Sequence, residues 1–239
     1  MKRFLAMYGR EFRIYLYSAH GWVAGLVMLF VPVLNVFRFG MFMQAGLLDL
    51  SRLSMSWLAV LSFMVPALTM RVFSEEQKTG IDLLLRTLPV SPTAIVLAKM
   101  SAVLTFISVF LLVDLLVPLS LSRMGDISLG LLISHVTGLL LVSCVLVSIG
   151  VFVSSLSRSQ ILSLIGSLII FTLFAYFDSF AVFLGMPAPV ADFSRRVSLE
   201  YRFTPFVHGM IDGGAVLYFL GVSAVFVRAA VHSYASRRY

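Results

Sequence analysis

An all-α, polytopic membrane protein with six transmembrane helices is the fold class that three features of the sequence predict. The first is composition: 60% of the 239 residues are hydrophobic, only 12% are charged, and the mean hydropathy is +1.01. One soluble core cannot hide that much apolar surface. The second is length. Apolar runs of about 18 residues or more recur, each able at about 1.5 Å per residue to cross a hydrocarbon layer of roughly 30 Å. The third is continuity, because a β-barrel needs alternating segments of about ten residues and these runs are unbroken. Backbone polar groups in lipid must pair within their own segment, which makes the runs helices.

The chain opens on an amphipathic stretch, residues 1–18. Phe4, Tyr8, Phe12 and Tyr15 share one helical face while Lys2, Arg3, Arg10 and Arg13 occupy the other. That pattern predicts a helix lying in the membrane interface, in contact with lipid. The six spans then run Ala19–Phe37, Leu53–Met70, Met100–Leu121, Leu129–Val153, Ile161–Leu184 and Ala215–Val231. No small-residue cleavage site follows the first run, which reads as a retained span. Residues 185–214 form the longest loop. Phe193, Val197 and Tyr201 at four-residue spacing predict a short interfacial helix there, interrupted at Pro205. No repeat or low-complexity linker divides the chain, so residues 1–239 form one membrane domain.

An even number of spans puts both termini on one side. With the termini in the cytoplasm, twelve of the eighteen Lys and Arg residues fall inside and six outside. The positive-inside rule therefore predicts cytoplasmic termini and a place in the bacterial inner membrane. The formal charge of +7 reports this orientation and does not point to nucleic acid. Small residues at close-packing spacing, Gly21 and Gly25 in the first span and Ser163, Gly166 and Ser167 in the fifth, are candidates for contact with a second subunit.

The richest stretch lies between the second and third spans, at residues 71–99. Ile81, Leu84, Leu85 and Leu88 recur at i, i+3, i+4 and i+7, with Asp82 and Arg86 on the opposite face. This predicts a short amphipathic helix stopped by Pro89. Ser74 and Gln77 stand at capping-box spacing, and Ser91-Pro92 restarts a helix with a cap and a proline at its first position. The expected form is a rigid cytoplasmic helix region over 72–90 with Ser74, Glu75 and Glu76 exposed at its tip. Such an element can carry a partner's movement into the spans.

In order and polarity this stretch resembles the cytoplasmic region of ABC-2 type permeases, whose architecture is type V exporter-like. The matching residues are Arg71, Ser74, Glu76, Gly80, Leu84, Leu85, Pro89, Val90, Ser91 and Lys99; the usual Gly-Thr order reads Thr79-Gly80, and the usual acid after it is Asp82. A second match, Phe203 to Asp212 before Tyr218 and Phe219, is similar to the last-span entrance of gliding-motility and related ABC-2 permeases. The resemblance implies a permease subunit of an ATP-driven transporter, an exporter, with a separate ABC ATPase on the coupling helix at 72–90. The implied contacts are Arg71, Ser74, Glu75, Glu76, Gln77, Lys78, Gly80, Asp82, Leu84 and Leu85. It further implies a second permease subunit, the same chain or a relative, and leaves room for an extracytoplasmic accessory subunit. An alternative is a membrane subunit that transmits force to envelope or gliding machinery without transporting anything.

The sequence carries no phosphate-binding loop of the Gly-x-x-x-x-Gly-Lys-Ser/Thr type, so ATP and Mg are expected on the partner and no cofactor on this chain. No nucleophile elbow or paired catalytic aspartates appear, and the chain is not expected to be an enzyme. His20, His135, His208 and His232 lack metal-ligand spacing. Cys144, alone inside the fourth run, reads as a buried thiol. Asp114 is the main intramembrane charge. It is a candidate to line a path or to pair with His135 on the next span.

Overall fold

The computed structural model describes residues 2–39, 50–80, 90–121 and 129–236, and every regular element in them is a helix. In chain order these are α1 (Lys2–Tyr17), α2 (Ala19–Phe39), α3 (Leu50–Thr69), α4 (Ser74–Thr79), α5 (Pro92–Asp114) and α6 (Leu116–Leu121). They continue with α7 (Leu129–Leu156), α8 (Gln160–Ala175), α9 (Phe177–Phe183), α10 (Ala188–Val197), α11 (Leu199–Val207) and α12 (Gly213–Ser236). Among the described residues five helices are long and apolar enough to cross a membrane, and the count is six if the bent pair α8–α9 is taken as one span.

The hub is α7, which packs against α3, α5, α8, α11 and α12. Lipid is as apolar as leucine, so such a hub is held by close packing and buried hydrogen bonds. Small residues let the backbones approach. A Cβ on Gly150 would lie 2.1 Å from Thr69 Oγ1 on α3, and one on Gly138 would lie 2.7 Å from Phe206 Cβ on α11. Ser134 on α7 donates to the Phe206 carbonyl at 3.0 Å. Cys144 on this helix is half-buried.

Tyr234, near the end of α12, stacks 5.3 Å from Phe73, and α1 reaches the same region through Glu11 and Lys99. Both ends of the chain therefore meet at one end of the bundle, as an even number of passes requires.

Four features depart from the sequence reading. The aromatic face of α1 packs on protein: Tyr8 donates to Thr105 Oγ1 at 3.0 Å, Tyr15 donates to the Leu68 carbonyl at 3.1 Å, and the Tyr15 and Phe106 rings lie 5.6 Å apart. Leu5, Ile14 and Tyr17 are the exposed apolar residues of α1. The fifth span is not straight, since α8 and α9 meet at 71°. Residues 185–214 form two helices that meet at Ser198, and Pro205 sits inside the second. The Ser198 hydroxyl lies 2.9 Å from the Ala175 carbonyl at the end of α8 and 2.7 Å from Asp178 Oδ1, which ties the loop to the bend.

The fourth departure concerns the small residues assigned to a second subunit, which pack within this chain. A Cβ on Gly25 would meet the Phe110 ring at 2.1 Å and one on Gly21 would meet the Tyr15 carbonyl at 2.3 Å. Ser163 and Ser167 are fully buried, and a Cβ on Gly166 would lie 3.1 Å from Val153 Cγ1. At these positions the small side chains serve contacts within the chain, Gly166 being half-buried and the others buried.

Candidate functional site

The site is built where α1, α3, α4, α5 and α7 converge. Residues 70–73 turn the chain out of α3, and α4 follows at once. Gly80 ends it in the left-handed conformation at φ 75°, the usual glycine stop for a helix. The predicted helix over residues 81–89, with its site residues Asp82, Leu84 and Leu85, lies outside the described residues.

Ser74 and Gln77 do not form a capping box. The Ser74 hydroxyl bonds back to the Met70 carbonyl, and Gln77 Nε2 donates to the Ser155 carbonyl at 3.2 Å. The free N–H groups of the first turn are served from another helix. Ser154 Oγ, at the end of α7, accepts from Phe73 N at 3.1 Å and Ser74 N at 3.3 Å, while its own proton goes to the Met70 carbonyl at 3.2 Å. An amphipathic tip presented to solvent is thus replaced by a short helix capped from α7.

Of the acidic tip only Glu75 is exposed. Ser74 is fully buried and Glu76 is 8% exposed. Glu76 turns inward because Lys99 waits inside α5. The Lys99 ammonium, 1% exposed, lies 2.9 Å from Glu76 Oε1, 3.2 Å from Glu11 Oε1 on α1 and 2.9 Å from the Val72 carbonyl. The ammonium donates to the Val72 carbonyl and pairs with both carboxylates, while Glu11 Oε1 and Glu76 Oε2 receive no hydrogen bond from the described residues. The Phe73 ring closes a further side at 5.2 Å, and Arg10 approaches Glu76 at 3.8 Å from the partly exposed side. Burial, and next the Glu11 carboxylate, push the Tyr15 hydroxyl above its ordinary pKa, so it stays a donor. Beside the cluster is a cavity of about 290 Å³, lined in part by Arg10, Ile14, Arg71, Glu75 and Thr79.

Of the sequence-predicted contacts, Arg71, Glu75, Lys78 and Gly80 are exposed on the outer side of this assembly, whereas Ser74 and Glu76 hold it together from within. Glu11 and Ser154 were not anticipated. Glu11 is the one acid between the basic residues of 2–13, a charge pattern break that marks it in retrospect. Lys99 is the one basic residue of an otherwise largely apolar helix, and an ionisable residue there needs a partner.

At the opposite end of the bundle Asp114 and His135 come together, with His135 Nε2 3.6 Å from Asp114 Oδ2 and both residues buried. His135 Nδ1 lies 2.6 Å from Ser54 Oγ on α3. The same hydroxyl lies 2.8 Å from the Leu50 carbonyl, so Ser54 joins the imidazole to the start of α3. Nε2 faces the carboxylate, whose oxygens receive no hydrogen bond from the described residues. Among the described residues no group of three or more His, Cys, Asp or Glu side chains is placed to hold a metal ion.

Residues 18–176, more than half of the chain, match the family model described as ABC-2 family transporter protein. That span runs from the start of α2 to the bend after α8 and includes α4, Lys99 and the Asp114–His135 pair. No curated protein matches the chain. With the helical bundle and its converging polar end, the match identifies the chain as a member of the ABC-2 transporter family, a membrane permease component of an ABC transporter.

Proposed function

We propose that this permease is the transmembrane half of an ATP-driven exporter, and that a separate ABC ATPase docks on α4 and the adjoining residues 81–90. The observation that carries the reading is the two-sided character of α4. Its inner side is fastened to three other helices through Lys99, Glu11 and Ser154, and its outer side offers Arg71, Glu75, Lys78 and Thr79. A helix held this firmly can transmit displacement; a loose connector would absorb it. The prevalence of positive residues on the same side of the spans supports a cytoplasmic position for α4 and for both termini. Two such subunits, identical or related, would enclose the path, and ATP with Mg would be bound by the partner.

The test is co-purification of the ATPase with the permease. Exchanging the exposed pair, Glu75→Lys with Lys78→Glu, is expected to abolish it without unfolding the chain. Retention of the partner by that variant would overturn the docking reading. Sidedness is read independently by Lys78→Cys in a Cys144→Ser background: labelling of intact cells by an impermeant maleimide would place α4 outside and reject the assignment. Reconstitution with the ATPase separates export from force transmission, because nucleotide turnover without movement of any substrate would shift the reading to envelope or gliding machinery.

A further inference from the structure

We infer that the Glu11–Lys99–Glu76 cluster is a coupling joint that makes α1, α4 and α5 move as one body when the partner displaces α4. The inference rests on the docking reading and adds to it the residues that carry the motion onward.

Three observations support it. The cluster takes one charge from each of three separate helices, so no displacement of one against another leaves it intact. It is largely buried, with Glu11 6% and Glu76 8% exposed where they line the neighbouring cavity, and charges so placed hold each other more strongly than in water. Finally, the ammonium donates to the Val72 carbonyl, which adds the turn that leaves α3 to the same joint. Packed apolar side chains would serve stability as well as a buried ion pair does. What the charges add is a direct link of α4 to α1 and α5, which are already tied to each other by the Tyr8–Thr105 bond and the Tyr15–Phe106 contact. Arg10 and the open cavity lie on the side of the joint facing the exposed residues of α4, where a docked partner would bear.

Lys99→Met is the direct variant. The triple variant Glu11→Gln, Lys99→Met, Glu76→Gln removes every charge while keeping side-chain volume, so it guards against loss of fold. Both are purified with the ATPase, and amide hydrogen exchange of residues 2–17 is compared between nucleotide-free and vanadate-trapped complexes. In the wild type, exchange in α1 is expected to change with nucleotide state. In both variants that difference should fall several-fold while the ATPase still co-purifies. A difference of wild-type size in the triple variant would overturn the joint, as would a wild-type α1 indifferent to nucleotide. Loss of the ATPase from a folded triple variant would also overturn it, by making the cluster part of the docking surface. Failure of the wild-type chain to retain the ATPase would instead defeat the docking reading, and the joint with it.

Discussion

Both ends of α5 carry a buried charge, and the two are bound very differently. At Lys99 the contacts are short, three acceptors surround one ammonium, and helices α1, α4 and α5 are joined. At Asp114, on the other end of the same helix, one imidazole stands 3.6 Å away and the carboxylate has no hydrogen bond from the described residues. Fifteen residues separate them, about 22 Å along the helix axis. The Lys99 cluster is closely contacted and lines an open cavity, whereas the Asp114–His135 pair is wider and enclosed. Polar contacts therefore hold α5 far more tightly at one of these positions than at the other.

The largest effect expected from this contrast is that of Lys99→Met. It leaves two buried carboxylates facing each other, and breaking a buried pair in this way costs about 3–5 kcal/mol. Thermal unfolding in detergent should show it, and the neutral triple variant should recover most of the loss. Asp114→Asn should cost less, about 1–3 kcal/mol, the range for leaving a buried polar partner unsatisfied. If the two variants unfold alike, the distinction between tight and loose ends is wrong. Ser154→Ala withdraws the acceptor from two N–H groups at the start of α4 and should cost about 1–2 kcal/mol, as lost helix caps do. Hydrogen exchange should then rise in residues 74–79 and stay unchanged around Asp114.

The smallest effect lies outside both clusters. Burial, and next the neighbouring Asp178, raise the Glu200 pKa above its ordinary value. The folded state therefore favours the protonated form, and stability is lost as pH rises from the ordinary carboxylate range through the raised pKa. Glu200→Gln should be slightly more stable than the wild type at neutral pH and equal to it in acid. A gain that persists below the ordinary carboxylate range would assign the effect to packing.

The sequence makes the spans legible because a continuous apolar run has few alternatives to a membrane helix. It also named Asp114 and His135 together, since each is the one acidic or basic side chain in its own run. What it hides depends on partners distant in the chain. Glu76 reads as solvent-facing by local pattern, and only Lys99, on another helix, turns it inward. Gly25 carries a spacing used between subunits, yet Phe110 of the same chain fills it. No glycine or proline marks Tyr176, and the break there accompanies Ser198 reaching the Ala175 carbonyl from beyond two further helices. The cap on α4 is likewise borrowed from Ser154.

The break bears on how the span meets the surrounding lipid. Helix α8 has 16 residues, about 24 Å of length, whereas the hydrocarbon layer is about 30 Å thick. Beyond Ala175 the chain turns aside through α9, and α10 follows with Val190 and Phe193 exposed. The apolar surface does not stop at Ala175, since Phe180, Val182 and Phe183 of α9 are exposed as well, at 71° to α8. Side chains set at an angle to the helix axis thus make up the length that the straight segment lacks.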